Sequence, residues 1–413
     1  MTKQQIQNLI TEAEKQNKET FAVIDNIALF NQEKVLDSFK QNHVALRHFS
    51  GSTGYSYEDE GKHILSKVFA SVFNAESAIV SPLIASGTHA ISTALFGLLR
   101  PGDTLYSLTG MPYDTLVPVI IGEKNGSLKE FGISFSKTDF LASGELDIKN
   151  IKIALKQKPT IIFIQRSRGY TWRNSLSIDV IGDIVELVKK ITPTSLVVVD
   201  NCYGEFTEIR EPLEAGADII IGSLIKNPGG GLAPTGGYIA GKKNLVDKIA
   251  NRLTAPGVGV EVGSYTDGYR NFFQGFFMAP HTTAEALKGA LLFRSVFAGL
   301  GYEVLPKIDG MGGTFSDIIC SIKFNDPDKL VAFCQAIQAC SPVDSFAKPM
   351  PWDMPGYDNK VIMAAGSFVQ GASIELSADG PMREPYIAFM QGGLNYAHIR
   401  IALERTLEVL GEQ

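Results

Sequence analysis

Three short runs, each following an apolar stretch of strand length, carry the residues best suited to covalent chemistry. Gly222-Ser-Leu-Ile-Lys226-Asn-Pro-Gly-Gly-Gly231 follows the run Asp218–Ile221. A lysine at the end of a buried strand is desolvated, which depresses its pKa and frees the amine to attack a carbonyl. The plainer reading is a lysine whose stem lies on apolar surface with its ammonium in water. The glycines beside it would let backbone approach a planar ring. Asp200-Asn-Cys-Tyr-Gly-Glu-Phe206 follows Leu196–Val199. A carboxylate at the mouth of a buried strand is costly without a cation, which a protonated ring nitrogen on a ligand would supply; otherwise it is an N-cap or a surface aspartate. Ser86, Gly87 and Thr88 open a helical run. Free N–H groups and the helix dipole suit a phosphate there, although a plain N-cap serine reads the same way. Neither the dinucleotide-binding GxGxxG run nor the P-loop pattern accompanies these residues.

The elements that must position them alternate along the chain. Strand candidates fall at Ala78–Val80, Thr104–Ser107, Thr160–Ile164, Leu196–Val199 and Asp218–Ile221, with helical runs such as His89–Leu99, Ile148–Lys156 and Val180–Ile191 between most of them. Strands apolar throughout and separated by helices predict an α/β fold with a mostly parallel sheet between helices. Ligands in such sheets collect beyond the carboxyl ends of the strands, where all three runs lie. Residues 1–50 are polar with helical spacing at Ile6, Ile10 and Ala13, and read as a helical arm. Residues 51–300 read as the α/β domain that carries these three runs. Residues 301–413, opening with Gly310-Met-Gly-Gly-Thr314, read as a smaller α+β domain.

Composition narrows the function classes. With 413 residues, 45% hydrophobic and 20% charged, the chain has ordinary globular make-up and room for a large core. A formal charge of −6 without a basic run argues against nucleic acid or anionic membrane as the partner. The start lacks an apolar signal region and no run reaches the ~18 apolar residues of a membrane span, so a cytoplasmic protein is expected. Cys202, Cys320, Cys334 and Cys340 show no paired spacing and the six histidines no ligand spacing, so no metal is expected. Cys202 stands out only for its place two residues past Asp200.

Taken together, Asp200 and Ser223-x-x-Lys226 at this separation, with the phrases Gln165-Arg-Ser-Arg-Gly-Tyr170 and Ser373-Ile-Glu-Leu-Ser-Ala-Asp379, resemble fold-type-I pyridoxal-phosphate enzymes of the cystathionine γ-synthase/methionine γ-lyase group. The chain looks closest to the bacterial branch described as aluminium-resistance proteins or cystathionine β-lyases, and the resemblance spans nearly its whole length. It implies a Schiff base on Lys226, which also shuttles protons, and Asp200 on the pyridine nitrogen. Ser86, Gly87, Thr88 and Ser223 would hold the phosphate. Tyr113 would stack on the ring and assist the leaving group, unless it is simply a half-buried tyrosine. Tyr55 or Tyr57 would reach the phosphate of a neighbouring subunit, making a homodimer the minimal unit and a homotetramer the expected assembly; alternatively, both pack in their own turn.

The chain also departs from that group. Ile225 stands where a threonine precedes the lysine, and Tyr57-Glu-Asp59 lacks the arginine that should follow the tyrosine. Arg166 or Arg168 could compensate or contact the cofactor, or form ordinary ion pairs. Matching Ala402-Leu-Glu404 puts the substrate-carboxylate arginine at His398, leaving Arg383 and Arg400 as candidates for a bidentate clamp. The expected activity is a carbon–sulfur lyase acting on a sulfur amino acid. The alternatives are another chemistry on the same cofactor, such as transamination, and a non-catalytic binding protein that keeps the fold.

Overall fold

A computed structural model of the chain describes residues 1–307 and 315–411, so the Gly310–Thr314 run lies outside the described residues. Seven strands form the large sheet: β1 (Ser77–Ser81), β2 (Thr104–Ser107), β3 (Ser134–Lys137), β4 (Ile161–Gln165), β5 (Leu196–Asp200), β6 (Ile219–Ser223) and β7 (Gly237–Gly241). Their order is β1-β7-β6-β5-β4-β2-β3. Only β7 runs against its neighbours β1 and β6. Runs such as Ile161-Ile-Phe-Ile and Leu196-Val-Val-Val are apolar and mostly β-branched or aromatic on both faces, and helices cover both. Two strands escape a reading by hydrophobicity. β3 is a polar edge strand that is mostly exposed, and β7 lies inside a glycine-rich run that reads as a loop.

A second sheet, entirely antiparallel, follows: β8 (Glu303–Leu305), β9 (Ile319–Lys323), β10 (Val361–Ala364), β11 (Ser377–Pro381) and β12 (Ile387–Gln391), in the order β10-β11-β12-β9-β8. Helices Pro327–Ala339 and Tyr396–Gly411 pack on one face through Phe333, Ile337, Leu403 and Leu407. The other face turns toward the large sheet, carrying Ile319, Phe389 and the side chains of Ser377 and Asp379.

One helix, Arg270–Gly299, belongs to both cores. At 1.5 Å per residue it is about 45 Å long. Phe272, Phe273 and Phe276 enter the core beneath the large sheet, whereas Leu287, Leu291, Phe293 and Phe297 enter that of the small one. The change of core therefore falls inside this helix. The N-terminal helices Lys3–Gln16 and Lys18–Gln41 follow its length, with Ile6, Ile10 and Ile24 in the small-sheet core and Val35 in the other. No helix among the described residues is long and apolar enough to cross a membrane.

Candidate active site

A cavity of about 290 Å³ opens where the carboxyl ends of the large-sheet strands meet the inward face of the small sheet. Ser86, Gly87, Thr88, Tyr113, Asp200, Ser223 and Lys226, all singled out from the sequence, line it. β5 and β6 are adjacent, so Asp200 and Lys226 arrive side by side. The helix Gly87–Leu98 begins against them: a Cβ on Gly87 would lie 3.4 Å from both Cys202 Sγ and Ser223 Cβ. Ser86 caps this helix, its Oγ accepting from His89 N at 3.1 Å. The hydroxyls of Thr88 and Thr115 meet at 2.8 Å.

Asp200 is 7% exposed, and the hydrogen bond that reaches its carboxylate comes from Cys202 N at 3.1 Å. Burial raises its pKa, and Lys226 opposes this only through space. Lys226 Nζ sits 4.0 Å from the centroid of the Tyr203 ring. Tyr203 has a left-handed φ of 71°, unusual for a bulky residue, and Asn227 holds the turn by donating to the Tyr203 and Glu205 carbonyls at 3.0 Å each. The side chain after Lys226 thus braces the loop after Asp200. Cys202 is no reactive thiolate: burial and the neighbouring Asp200 push its thiol well up.

Two expectations about Lys226 need correction. Burial alone would depress its pKa, but the acidic groups packed around it, Asp200 and Glu205 among them, hold the ammonium above the ordinary lysine value instead. The glycines that follow it do not face the cavity. A Cβ on Gly230, whose φ is 54°, would lie 2.2 Å from the Gly275 carbonyl, so this loop's close approach is to the long helix.

The arginine assignments change more. Gln165, Ser167 and Gly169 line the cavity, so the alternate residues Arg166 and Arg168 point elsewhere. Arg166 is fully buried, bonding Asn201 Oδ1 and the Gly204 carbonyl at 2.8 Å and pairing with Glu208 at 2.7 Å. It shapes the loop after β5 from behind and does not reach a cofactor in this cavity. Arg168, also buried, clamps Asp317 with bonds of 3.2 and 3.0 Å and so ties the two sheets together. Arg400 pairs with Glu14 of the N-terminal arm at 3.0 Å, and Arg383 sits on an exposed turn after β11. Neither reaches the cavity, and among the described residues no arginine lines it. Tyr55 and Tyr57 are 72% and 66% exposed, stacked on each other at 5.6 Å, and outside the cavity of their own chain.

Several lining residues were not singled out from the sequence. Tyr113 shares a short 2.6 Å hydrogen bond with Tyr357, and its backbone N–H donates to Gln165 Oε1 at 2.8 Å. Tyr170 lies 5.8 Å from the Tyr113 ring and 5.1 Å from that of Phe389. Asp379, on β11, is 8% exposed, and burial lifts its pKa to about 7. Tyr170 and Asp379 lie in phrases that carry the family resemblance, and the alternation of Ser377, Ala378 and Asp379 was the available signal for which of them face inward.

A buried carboxylate without a bonded cation, a lysine at the adjacent strand end, aromatic walls and a helix N-terminus of small residues fit a phosphorylated pyridine aldehyde. Together with the doubly covered sheet they define a fold-type-I pyridoxal-phosphate enzyme site. The methionine gamma-lyase family pattern matches residues 6–411, and the chain belongs to that family of pyridoxal-phosphate-dependent lyases. Its relatives include the Bacillus subtilis protein YnbB, 48% identical over 92% of this chain and 90% of that one. A solved Listeria monocytogenes structure is 51% identical, with a TM-score of 0.94 over 98% of this chain and 99% of that one. A Clostridium novyi structure described as a carbon-sulfur lyase involved in aluminum resistance is 48% identical, with a TM-score of 0.93 over 98% and 96%.

Proposed function

We propose that the protein is a cytoplasmic, homo-oligomeric carbon–sulfur lyase that eliminates a thiol from a sulfur amino acid. The observation that carries this reading is the convergence of Lys226 and Asp200 at adjacent strand ends of one cavity in a chain of this family. Bound pyridoxal phosphate supplies an electron sink for charge that develops at the substrate α-carbon. Lys226 anchors the cofactor and, once released, moves the α-proton. Asp200 keeps the ring nitrogen charged. Ser86, Gly87, Thr88 and Ser223 hold the phosphate at the helix N-terminus. Tyr113, whose phenol burial and nearby acidic groups keep neutral, stacks on the ring and donates a proton to the departing sulfur.

Product analysis on the purified, cofactor-loaded protein tests the reading. Cystathionine, cysteine and methionine are the substrates to assay. Elimination should give free thiol, ammonia and an oxo acid with no acceptor acid added. An amino acid product formed only when an acceptor is present would replace it with transamination.

The exposed Tyr55–Tyr57 pair supports a shared site in which one of the two reaches the phosphate in the adjoining subunit. Inactive Lys226→Ala subunits mixed with a Tyr55→Phe/Tyr57→Phe variant should then recover activity, because one site per heterodimer regains both groups. Substituting the donor alone should weaken cofactor binding roughly tenfold or more, the value of one charge-assisted bond. Confirmed subunit exchange without recovered activity would contradict the shared site.

A further inference from the structure

Tyr357 lines the cavity from the small-sheet side and is bonded to Tyr113, the proton donor of the lyase reading. It stands on the loop between the helix Pro327–Ala339 and β10. Trp352 and Val361 close that loop at its base with two backbone bonds of 3.1 and 3.0 Å. Nearer its tip the loop rests on the segment that carries Tyr113: a Cβ on Gly356, whose φ is 88°, would lie 3.4 Å from Thr115 Cγ2. The Tyr357 ring so placed meets Tyr113 nearly edge-on, at 6.0 Å and 85°, and in their 2.6 Å bond either hydroxyl can donate. Tyr113 by itself is a poor acid, because burial and nearby acidic groups push its pKa well above the ordinary phenol value of about 10. An ordinary thiol has a pKa of about 8.5. Passing the Tyr113 proton to a departing thiolate therefore runs uphill unless the phenolate left behind is stabilised. With Tyr113 as donor, the bond to Tyr357 holds that proton in place; with Tyr357 as donor, it stabilises the phenolate.

We propose that Tyr357 is the positioning residue that lets Tyr113 act as an acid, by donating its hydroxyl hydrogen to Tyr113 as the thiol departs. When the carbon–sulfur bond breaks, its electron pair stays on sulfur and the Tyr113 proton moves to that sulfur. The bond between the two tyrosines then reverses, and Tyr357 donates to the phenolate on Tyr113. A proton from water afterwards restores Tyr113 through the Tyr357 hydroxyl, whose chain neighbours Gly356 and Asp358 are exposed. This deepens the lyase reading and rests on it. Tyr357 matters only for a leaving group that has to be protonated.

The test compares two leaving groups on the cofactor-loaded protein: ethanethiol from S-ethyl-L-cysteine, which needs a proton, and chloride from β-chloro-L-alanine, which does not. Their homologues one carbon longer serve if the enzyme eliminates from Cγ. Tyr357→Phe removes one oxygen and keeps the ring, so cofactor absorbance and affinity should match wild type. Its kcat/KM for the thioether should fall roughly 10- to 100-fold, the value of one charge-assisted bond. The chloride substrate should stay within about twofold of wild type, since no acid assists its departure. In a Tyr113→Phe background the Tyr357→Phe change should cost nothing more, because Tyr357 works only through Tyr113. Equal losses for both substrates, no loss for the thioether, or a further loss in the Tyr113→Phe background would overturn the proposal and leave the lyase reading standing. Loss of cofactor affinity in Tyr357→Phe would also overturn it, by making the tyrosine part of the cofactor site. A wild-type protein that releases no thiol from either thioether would defeat the lyase reading, and this role with it.

Discussion

Lys226→Ala is expected to lose turnover by about 10³-fold or more. A positioned acid–base group alone contributes on the order of 10²–10⁴, and this substitution also removes the covalent anchor. The rest of the cradle is untouched: Ser86 still caps its helix, and Gly87 still packs on Ser223. Some cofactor should therefore still bind through its phosphate, so the loss should appear mainly in kcat. Steady-state thiol release with cofactor in excess measures it. Activity within tenfold of wild type would show that another amine does the work.

Asp200→Asn should cost roughly 10²–10³ in turnover, the scale set by removing one preorganised electrostatic partner from a buried site. Stability should change far less. Burial raises the folded-state pKa of Asp200 in the cofactor-free protein. The stabilisation from its neutral form is complete below the unfolded carboxyl value, about 3.9, and is lost as pH rises through the folded value. Near neutral pH a buried charge is a cost that asparagine does not carry. Asparagine also takes a partner away from the buried Lys226 ammonium, so the two effects offset and the cofactor-free variant should melt near the wild-type temperature at pH 7. Lower activity with undiminished Tm separates a chemical role from that of a strand-end cap. Full activity would make Asp200 a cap.

The parts of this architecture legible in the sequence are those where local chemistry and burial agree. Runs such as Leu196-Val-Val-Val before Asp200 and Asp218-Ile-Ile-Ile before Lys226 can only be covered strands, and the residue that ends such a strand sits where ligands collect. Cofactor contact and an ion pair are equally open for Arg166 in the sequence because its partners lie far along the chain: Glu208 and Glu211 come some forty residues later, and only the parity of β4 decides which side chains face in. Arg400 shares a face with Glu14, nearly four hundred residues away. The cavity roof was hidden for a different reason. β11 reads Ser-Ala-Asp-Gly-Pro, without the apolar alternation of a half-buried strand, because its inward face is itself part of the site. The raised pKa of Lys226 likewise depends on the acidic loop from Asp200 to Glu205, whose conformation no spacing rule supplies.

The central claim is that Lys226 is the amine to which the cofactor is joined. Borohydride reduction of the yellow, cofactor-loaded protein, followed by peptide mapping, tests it directly. A single phosphopyridoxyl label is expected, on Lys226 in the peptide spanning Ser223–Asn227. A label on any other lysine, or cofactor released intact after reduction, would contradict it.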